Sequence, residues 1–422
     1  MDYQPTLTFA RDLDAADPLR ACRQRFLIPA LPDGQPALYL CGQSLGLQPK
    51  AVRGLIEQEL DAWARLGVGG HFKEQAPWYS YHELFRESGA RLVGARPGEV
   101  VMMNSLTVNL HLLLTTFYQP TNERPCILID EPTFPSDRYA ISSHIACRGL
   151  DPHAALLTVQ PRAGEWTIRL EDLEALLQAH SERIAVVLLN GVNFFTGQCF
   201  DMQRIAGLAR ARGCIVGFDL AHAAGNVPLQ LHDWNIDFAV WCSYKYLNAG
   251  PGAVAGCFVH ERHGQNLSLP RLAGWWGNDP ATRFRMHLQP DFVPRAGADG
   301  WQLSNPPILA LAPLRASLAL FDEVGMPALR EKSERLTGYL QYLLDRLPTG
   351  RVEVITPRDA PSRGCQLSLL IHEEPRALAT ALERAGVICD FREPNVIRVA
   401  PVPLYNTFEE VWRFADLLSR FA

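Results

Sequence analysis

Several patterns are missing from this 422-residue chain, and each absence excludes a class of protein. Its ten cysteines are scattered singly with no Cys-x-x-Cys pair, which favours reduced thiols over disulfides or metal ligands. No run approaches the ~20 apolar residues of a membrane span, and the N-terminus lacks a basic segment followed by an apolar core. We therefore expect a cytoplasmic protein with no metal site and no membrane partner.

An excess of positive charge is also missing. The formal net charge is −5 and 20% of the residues are charged, so no electrostatic surface for nucleic acid is expected. A Gly-x-Gly-x-x-Gly motif after the first strand is absent, which weighs against a dinucleotide-binding protein. With 47% hydrophobic residues the chain can bury a sizeable core, and its expected partners are small molecules or other subunits.

Short apolar runs alternate with helical patterns between residues 100 and 260, which favours a parallel sheet with crossover helices. The predicted strands are 126–130, 184–189, 214–219, 238–242 and 254–259. The predicted helices are 107–117, 137–147, 170–179 and 202–212. Polar residues just past these strands are expected at the sheet edge where open α/β proteins bind ligands.

The flanking regions have other patterns. Residues 1–50 are rich in proline and turn formers and are predicted to be an N-terminal arm that joins the small domain. Residues 51–305 are predicted to be a large cofactor-binding domain, and residues 306–422 a smaller α+β domain. In that last region the patterns predict helices 308–324, 326–347 and 407–421 and strands 352–355, 366–371 and 397–399.

Lys245 lies among aromatic and small residues, where its ammonium group is poorly solvated. Loss of solvation favours the free amine, which a Schiff base with an aldehyde cofactor requires. Asp219, at the end of an upstream apolar run, is placed to hold a pyridinium nitrogen protonated. A lysine and an aspartate of this kind are the minimum apparatus of pyridoxal 5′-phosphate (PLP) chemistry.

Other segments permit a structural interpretation beside a chemical one. Segment 105–107 opens an apolar helix, either as a phosphate seat or as an ordinary N-cap. Phe134 either stacks on a planar ring, with Asp137 at its edge, or belongs to a capped turn. Arg398 lies inside an apolar strand, where it either grips a substrate carboxylate or forms a structural ion pair.

His222 and Tyr244 also permit both a chemical and a structural interpretation. His222 stands three residues after Asp219, so both side chains meet at a tight turn. The pair either lines a cofactor or is a carboxylate that orients a core histidine. Tyr244, next to Lys245, is either a proton donor or phosphate ligand, or one more buried aromatic residue.

Together these segments resemble the kynureninase family, and the resemblance rests on residues 45–49, 106–111, 134–137, 196–198, 218–223, 242–250, 304–308 and 398–406. It covers the chain from near residue 38 to the C-terminus. The resemblance implies PLP fold type I of the aspartate aminotransferase superfamily. That α/β fold has a large domain with a mostly parallel, seven-stranded sheet between helices and a smaller α+β C-terminal domain. The resemblance also implies a homodimer with shared active sites.

The resemblance assigns roles to individual residues. Lys245 and Tyr244 are implied to be catalytic. The implied cofactor-binding residues are Leu106, Thr107, Phe134, Ser136, Asp137, Asn190, Asp219, His222, Tyr244, Lys245, Trp275 and Asn305. The implied substrate-binding residues are Arg398, His71, Ser44 and Asn305. Trp275 and Asn305 match positions that are supplied across the dimer.

The implied reaction is hydrolysis of L-kynurenine, or of 3-hydroxy-L-kynurenine, to anthranilate or 3-hydroxyanthranilate and L-alanine, as in tryptophan catabolism and NAD biosynthesis. His71 and Asn305 resemble residues of family members that favour the hydroxylated substrate. Donors around the phosphate are expected to lower the pKa of Tyr244. The alternative is another fold type I enzyme, such as a cysteine desulfurase using Cys365 or a class V aminotransferase.

Overall fold

The computed structural model describes residues 2–73, 75–348 and 350–421. Its strands are β1 (Phe26–Leu27), β2 (Leu38–Tyr39), β3 (Gln48–Pro49), β4 (Val100–Met102), β5 (Cys126–Asp130), β6 (Leu156–Val159), β7 (Ile184–Asn190), β8 (Ile215–Asp219), β9 (Phe238–Trp241), β10 (Gly256–Val259), β11 (Val352–Val354), β12 (Leu367–Ile371), β13 (Val387–Ile388), β14 (Asp390–Arg392) and β15 (Val396–Val399). Its α-helices are α1 (Leu7–Ala15), α2 (Val52–Leu66), α3 (Gly70–Lys73), α4 (Arg86–Val93), α5 (Leu106–Phe117), α6 (Pro135–Cys147), α7 (Pro152–Ala155), α8 (Leu170–His180), α9 (Met202–Arg210), α10 (Glu261–Gly264), α11 (Ile308–Val324), α12 (Met326–Leu344), α13 (Pro375–Arg384) and α14 (Phe408–Phe421).

A seven-stranded sheet in the order β4-β10-β9-β8-β7-β5-β6 forms the centre of the fold. The neighbours from β6 to β9 run parallel, whereas β10 is antiparallel to both β9 and β4. Strands β5, β7 and β8 are almost entirely buried. Parallel strands covered on both faces read as nearly continuous apolar runs, which is why the sequence predicts them well. The predicted mostly parallel, seven-stranded sheet is confirmed.

The carboxyl ends of three adjacent strands carry polar side chains. Strand β5 ends at Asp130, β7 at Asn190 and β8 at Asp219, and Asn190 lies beside Asp219 in the strand register. Strand β9 ends at Trp241, where the chain enters the loop that carries Lys245. The parallel topology therefore gathers residues that are far apart in the chain at one edge of the sheet.

The first 50 residues contact two distant parts of the chain. Helix α1 packs on α14, β2 pairs in parallel with β13, and a buried ion pair joins Asp17 to Lys332 of α12 at 2.8 Å. The backbone nitrogen of Gly46 donates to the Tyr244 carbonyl oxygen at 2.8 Å. A Cβ at Gly46 would lie 2.3 Å from the Lys245 carbonyl oxygen, so only glycine permits this approach.

A four-stranded antiparallel sheet, β11-β12-β15-β14, lies in the C-terminal part of the chain. Helices α12 and α13 pack with α14 beside it, whereas α11 packs mainly on α2 and α4. By its contacts α11 therefore joins the earlier part of the chain, although it follows residue 305. The division into residues 1–50, 51–305 and 306–422 stays a prediction.

The predicted strands lie within two residues of their observed bounds. The patterns do not predict β4, which has only 3 residues, or β6, which is partly exposed at the sheet edge. The predicted helix 202–212 ends at Arg210 because Gly213 turns the chain with a φ of 72°. In the described ranges no helix is long and apolar enough to cross a membrane.

Candidate active site

The Lys245 amine is buried against an aromatic and imidazole surface at the carboxyl edge of the sheet. Its side chain is 9% exposed, and Nζ lies 3.1 Å from His222 Nε2. The Phe134 and Tyr244 ring centroids lie 5.7 Å and 5.9 Å from Nζ. Burial, and then the Lys245 charge, lower the pKa of His222 well below its usual value, so the imidazole is neutral and Nε2 accepts from the lysine.

Two carboxyl groups meet beside this lysine. Asp137 lies in the first turn of α6 and its side chain hydrogen-bonds to Asp219 at the end of β8. Burial, and then the Asp219 charge, raise the pKa of Asp137 well above its usual value. Two buried acids side by side cannot both ionise at low cost, so this edge of the site favours a cationic partner.

The N-termini of two helices converge next to the acid pair. Thr107 Oγ1 of α5 and Ser136 Oγ of α6 lie 3.2 Å apart. Ser105 is the N-cap residue of α5 and Phe134 that of α6. Neither side chain makes a capping hydrogen bond. The free N–H groups at these two helix starts and the two hydroxyls could hold a phosphate, with Leu106 as the first residue of α5.

Asp130 is a site residue that the sequence reasoning missed. It is fully buried at the end of β5, and its carboxylate accepts from the Asn190 backbone nitrogen at 3.0 Å and from Asn190 Nδ2 at 2.9 Å. Asn193 Nδ2 donates to the same carboxylate at 3.1 Å and to the Pro132 carbonyl at 2.9 Å. The network fixes the loop that presents Phe134. An acidic residue ending an apolar strand was the available signal.

The expected pKa of Tyr244 is wrong for this site. Burial, and then Cys242, Asp219 and Asp137, raise the pKa of Tyr244 above its usual value instead of lowering it. The Tyr244 side chain is half-buried and faces groups that carry or gain negative charge, so the neutral form is favoured. A neutral phenol beside Lys245 is still able to donate a proton.

Arg398 and Ser44 lie together near the cluster. Arg398 of β15 is 1% exposed, and its Nη1 donates to the Phe194 carbonyl at 2.6 Å. Phe194 in turn makes an edge contact with Phe134 at 5.3 Å between centroids. Both Arg398 and Ser44 contact Asp390, so a structural ion pair exists at the position predicted to bind a substrate carboxylate.

Three predicted residues have their contacts elsewhere. His71 Nδ1 lies 3.1 Å from the Val68 carbonyl, Trp275 Nε1 donates to the Arg283 carbonyl at 3.3 Å, and Asn305 Oδ1 accepts from Ser304 Oγ at 3.1 Å. Trp275 is 39% exposed and Asn305 is exposed as well. Surface positions are consistent with the predicted contribution to a second subunit.

Cys365 does not fit the acceptor thiol of a desulfurase. It is 0% exposed, and its backbone nitrogen donates to Asn226 Oδ1 at 2.9 Å. Burial raises the pKa of the thiol to about 12, so the nucleophilic thiolate is suppressed.

Glu99, His232 and His260 are the potential metal ligands that cluster within the described ranges. Glu99 Oε1 accepts from the Glu261 backbone nitrogen at 2.7 Å and from His232 Nδ1 at 2.9 Å. His260 Nδ1 accepts from the Arg262 backbone nitrogen at 3.3 Å. These bonds tie α10 to the segment before β4, so a structural role accounts for the group.

The residues present fit PLP. The helix N-termini suit its phosphate, the acid pair suits its protonated ring nitrogen, and Phe134 offers an aromatic face. Lys245 supplies the amine for its aldehyde. His222 Nδ1 is buried without a hydrogen-bond partner among the described residues, as expected of a donor that awaits a ligand.

Solved structures share the fold at low sequence identity. A C-DES mutant with glycine covalently linked to its PLP cofactor superposes with a TM-score of 0.78 and 18% identity, over 95% of this chain and 99% of that chain. The cysteine desulfurase CsdA from Escherichia coli gives a TM-score of 0.75 and 19% identity, over 96% of this chain and 98% of that chain. The fold and the site together define a PLP-dependent enzyme of fold type I.

Sequence relatives narrow that class. Proteins named kynureninase from Myxococcus xanthus and Koribacter versatilis are 56% and 54% identical, over 100% and 98% of this chain and 98% and 97% of their own lengths. The family models for the kynureninase C-terminal domain and for aminotransferase class I and II match residues 329–418 and 42–235. The chain belongs to the kynureninase family, whose members are hydrolases acting on a carbon–carbon bond.

Replacing Asp130 with Asn tests the network that shapes the site. The amide keeps the volume of the carboxylate but places a donor against the donors of Asn190 and Asn193. We expect Asp130→Asn to lower the free energy of unfolding by about 1–3 kcal/mol and to speed the loss of bound PLP during dialysis. Urea unfolding and the visible absorbance of the dialysed protein measure the two effects.

The matched control is Asp201→Asn. Asp201 caps α9 by accepting from the Arg204 backbone nitrogen at 3.0 Å, and asparagine caps a helix equally well. We expect this variant to behave like the wild type. Equal stability and equal PLP retention in Asp130→Asn would show that the network does not support the site.

Proposed function

We propose that this enzyme hydrolyses L-kynurenine, 3-hydroxy-L-kynurenine or both, giving anthranilate or 3-hydroxyanthranilate and L-alanine. The observation that carries the proposal is the full-length identity to relatives named kynureninase, joined to the buried Lys245 cluster. The reaction adds water to the γ-carbonyl, breaks the Cβ–Cγ bond and places a proton on Cβ. We further propose that it serves tryptophan catabolism.

Binding residues set the geometry of the substrate. Arg398 would pair with the α-carboxylate, and a guanidinium that grips both oxygens fixes which bond at Cα stands perpendicular to the cofactor ring. Asp219 would pair with the ring nitrogen and keep it protonated. When bound, PLP withdraws electrons from Cα, which is the chemistry that side chains alone do not supply.

Two residues move protons in this proposal. Lys245, as the free amine, would remove the Cα proton. Tyr244 then donates a proton to Cβ after the Cβ–Cγ bond has broken. Burial, which raises the pKa of Tyr244, keeps the phenol protonated for that step. Neutral His222 accepts a hydrogen bond from Lys245 and so orients the amine before the cofactor binds.

Purified protein with PLP should release a fluorescent anthranilate from L-kynurenine. Lys245→Ala removes both the amine and the base, so turnover should fall by about 10⁴-fold or more. Lys50→Ala, which changes an exposed lysine at the end of the arm, should keep full turnover. A wild-type protein that binds PLP but leaves kynurenine intact would contradict the proposed reaction.

A second copy of the chain would complete the site. An exposed aromatic surface is formed by Phe72, Tyr79, Phe284 and Trp275, whose neighbouring ring centroids are 5.6–6.2 Å apart. Phe72 and Phe284 are 59% and 53% exposed, which is costly for a protein that stays alone in water. His71 and Trp275 belong to this same surface, so a homodimer that buries it would bring predicted site residues to its partner.

Subunit complementation tests the shared site. Lys245→Ala and Trp275→Ala homodimers should both be impaired. If Trp275 serves the partner, mixed dimers contain one intact site, and random pairing should restore about a quarter of wild-type activity. The mixture is made by co-expression and assayed with kynurenine. A mixture no more active than the average of the two homodimers would place Trp275 in its own subunit's site.

We also propose that His71 and Asn305 favour the hydroxylated substrate, because an imidazole and an amide can bond its added hydroxyl. Asn305→Thr should then lower the ratio of kcat/KM for 3-hydroxykynurenine over kynurenine by about 5- to 10-fold, the worth of one hydrogen bond. Asn266→Thr, the same change at another exposed asparagine, should leave the ratio unchanged. An unchanged ratio in Asn305→Thr would refute this preference.

A further inference from the structure

The guanidinium of Arg398 already holds a carboxylate when no substrate is bound. Asp390 of β14 lies directly opposite Arg398 of β15 in the antiparallel register. Arg398 Nη2 pairs with Asp390 Oδ2, while Nη1 is taken by the Phe194 carbonyl at 2.6 Å. Arg398 Nε is buried without a hydrogen-bond partner among the described residues.

The same oxygen of Asp390, Oδ2, also contacts Ser44 and Arg392. Ser44 Oγ donates to Oδ2 at 2.9 Å, and Arg392 approaches Oδ2 with Nε at 3.2 Å and Nη2 at 3.1 Å. Arg398 is the residue predicted to hold the substrate carboxylate, and Ser44 is also predicted to bind substrate. Asp390 therefore makes, inside the protein, the contacts that a substrate carboxylate would make.

The Asp390 carboxylate compensates the buried positive charge of Arg398 when no substrate is bound. Arg398 is 1% exposed, and a buried guanidinium without a partner costs several kcal/mol. Burial lowers the pKa of Arg398 to about 10, so the group is still charged at pH 7. Arg392, with 39% of its side chain exposed, lies where it can keep Asp390 after Arg398 has changed partners.

We propose that Asp390 is a specificity-determining residue that occupies the carboxylate seat of Arg398 and Ser44 and is displaced onto Arg392 by the α-carboxylate of an amino-acid ligand. This inference rests on the proposed use of Arg398 for a substrate carboxylate. The exchange swaps one ion pair for another, so the carboxylate gains little net binding energy. Ligands that offer only a carboxylate, with no other contact in the site, are thereby kept from binding to Arg398 and Ser44.

Titration of the PLP-loaded enzyme with L-alanine and with ethylamine tests the exchange. The two probes share an amine, but only L-alanine carries a carboxylate. In Asp390→Asn the competitor is gone, so L-alanine should bind about tenfold tighter, equivalent to 1.4 kcal/mol, while ethylamine affinity stays unchanged. Calorimetry and the absorbance of the bound cofactor report binding.

Two further variants provide a charge control and a second test of the exchange. Glu393→Gln removes a nearby negative charge that pairs with Arg376 instead, and it should change neither affinity. Arg392→Met removes the group that receives Asp390, so L-alanine should bind more weakly and ethylamine as before. This second variant tests the proposal even where Asp390→Asn loses its cofactor.

Unchanged or weaker L-alanine binding in Asp390→Asn with PLP retained would overturn the proposal, because Asp390 would then orient Arg398 and not compete for it. An unchanged L-alanine affinity in Arg392→Met would overturn the role of Arg392 as the receiver. Kynurenine turnover by the wild type is measured in parallel. Turnover without the affinity shift refutes only the exchange, whereas the shift without turnover refutes only the proposed substrate.

Discussion

Burial of the Lys245 amine at the carboxyl edge of the seven-stranded sheet is the constraint on which the rest of the site depends. An amine with 9% exposure needs neighbours that compensate for lost water. Neutral His222 accepts from it at 3.1 Å, and aromatic faces of Phe134 and Tyr244 surround it. Parallel topology supplies these neighbours, because adjacent strands end together whatever their separation along the chain.

The two charged regions of the site are mechanically connected. Arg398 bonds the Phe194 carbonyl, Phe194 packs edge-on against Phe134, and Phe134 lies over Lys245. The position proposed to bind a carboxylate, in the C-terminal sheet, is thus linked by direct contacts to the position proposed for the cofactor ring. Asp130 also holds the loop that carries Phe134, because Asn193 donates both to the Asp130 carboxylate and to the Pro132 carbonyl. A displacement of Arg398 would therefore shift Phe134, and a displacement of Phe134 would shift Arg398, because Phe194 packs between them.

Much of the fold is predictable because buried parallel strands are continuous apolar runs, and Lys245 with Asp219 is recognisable from the surrounding motifs. The Asp130 network is not, since its partners lie about 60 residues away and meet only once the strands are in register. Asp390 escapes notice for the same reason: its partner is fixed by the pairing of β14 with β15. The expected pKa of Tyr244 is wrong because burial, Cys242 and the two nearby acids all raise it.

The proposed chemistry depends on attachment of the cofactor to one particular lysine, Lys245. Borohydride reduction of the PLP-loaded protein, followed by proteolysis and mass spectrometry of the peptides, tests it most directly. We expect loss of the visible absorbance and a phosphopyridoxyl group on the peptide that contains Lys245. A modified peptide that carries a different lysine, or no modified peptide from a protein that retains PLP, would contradict it.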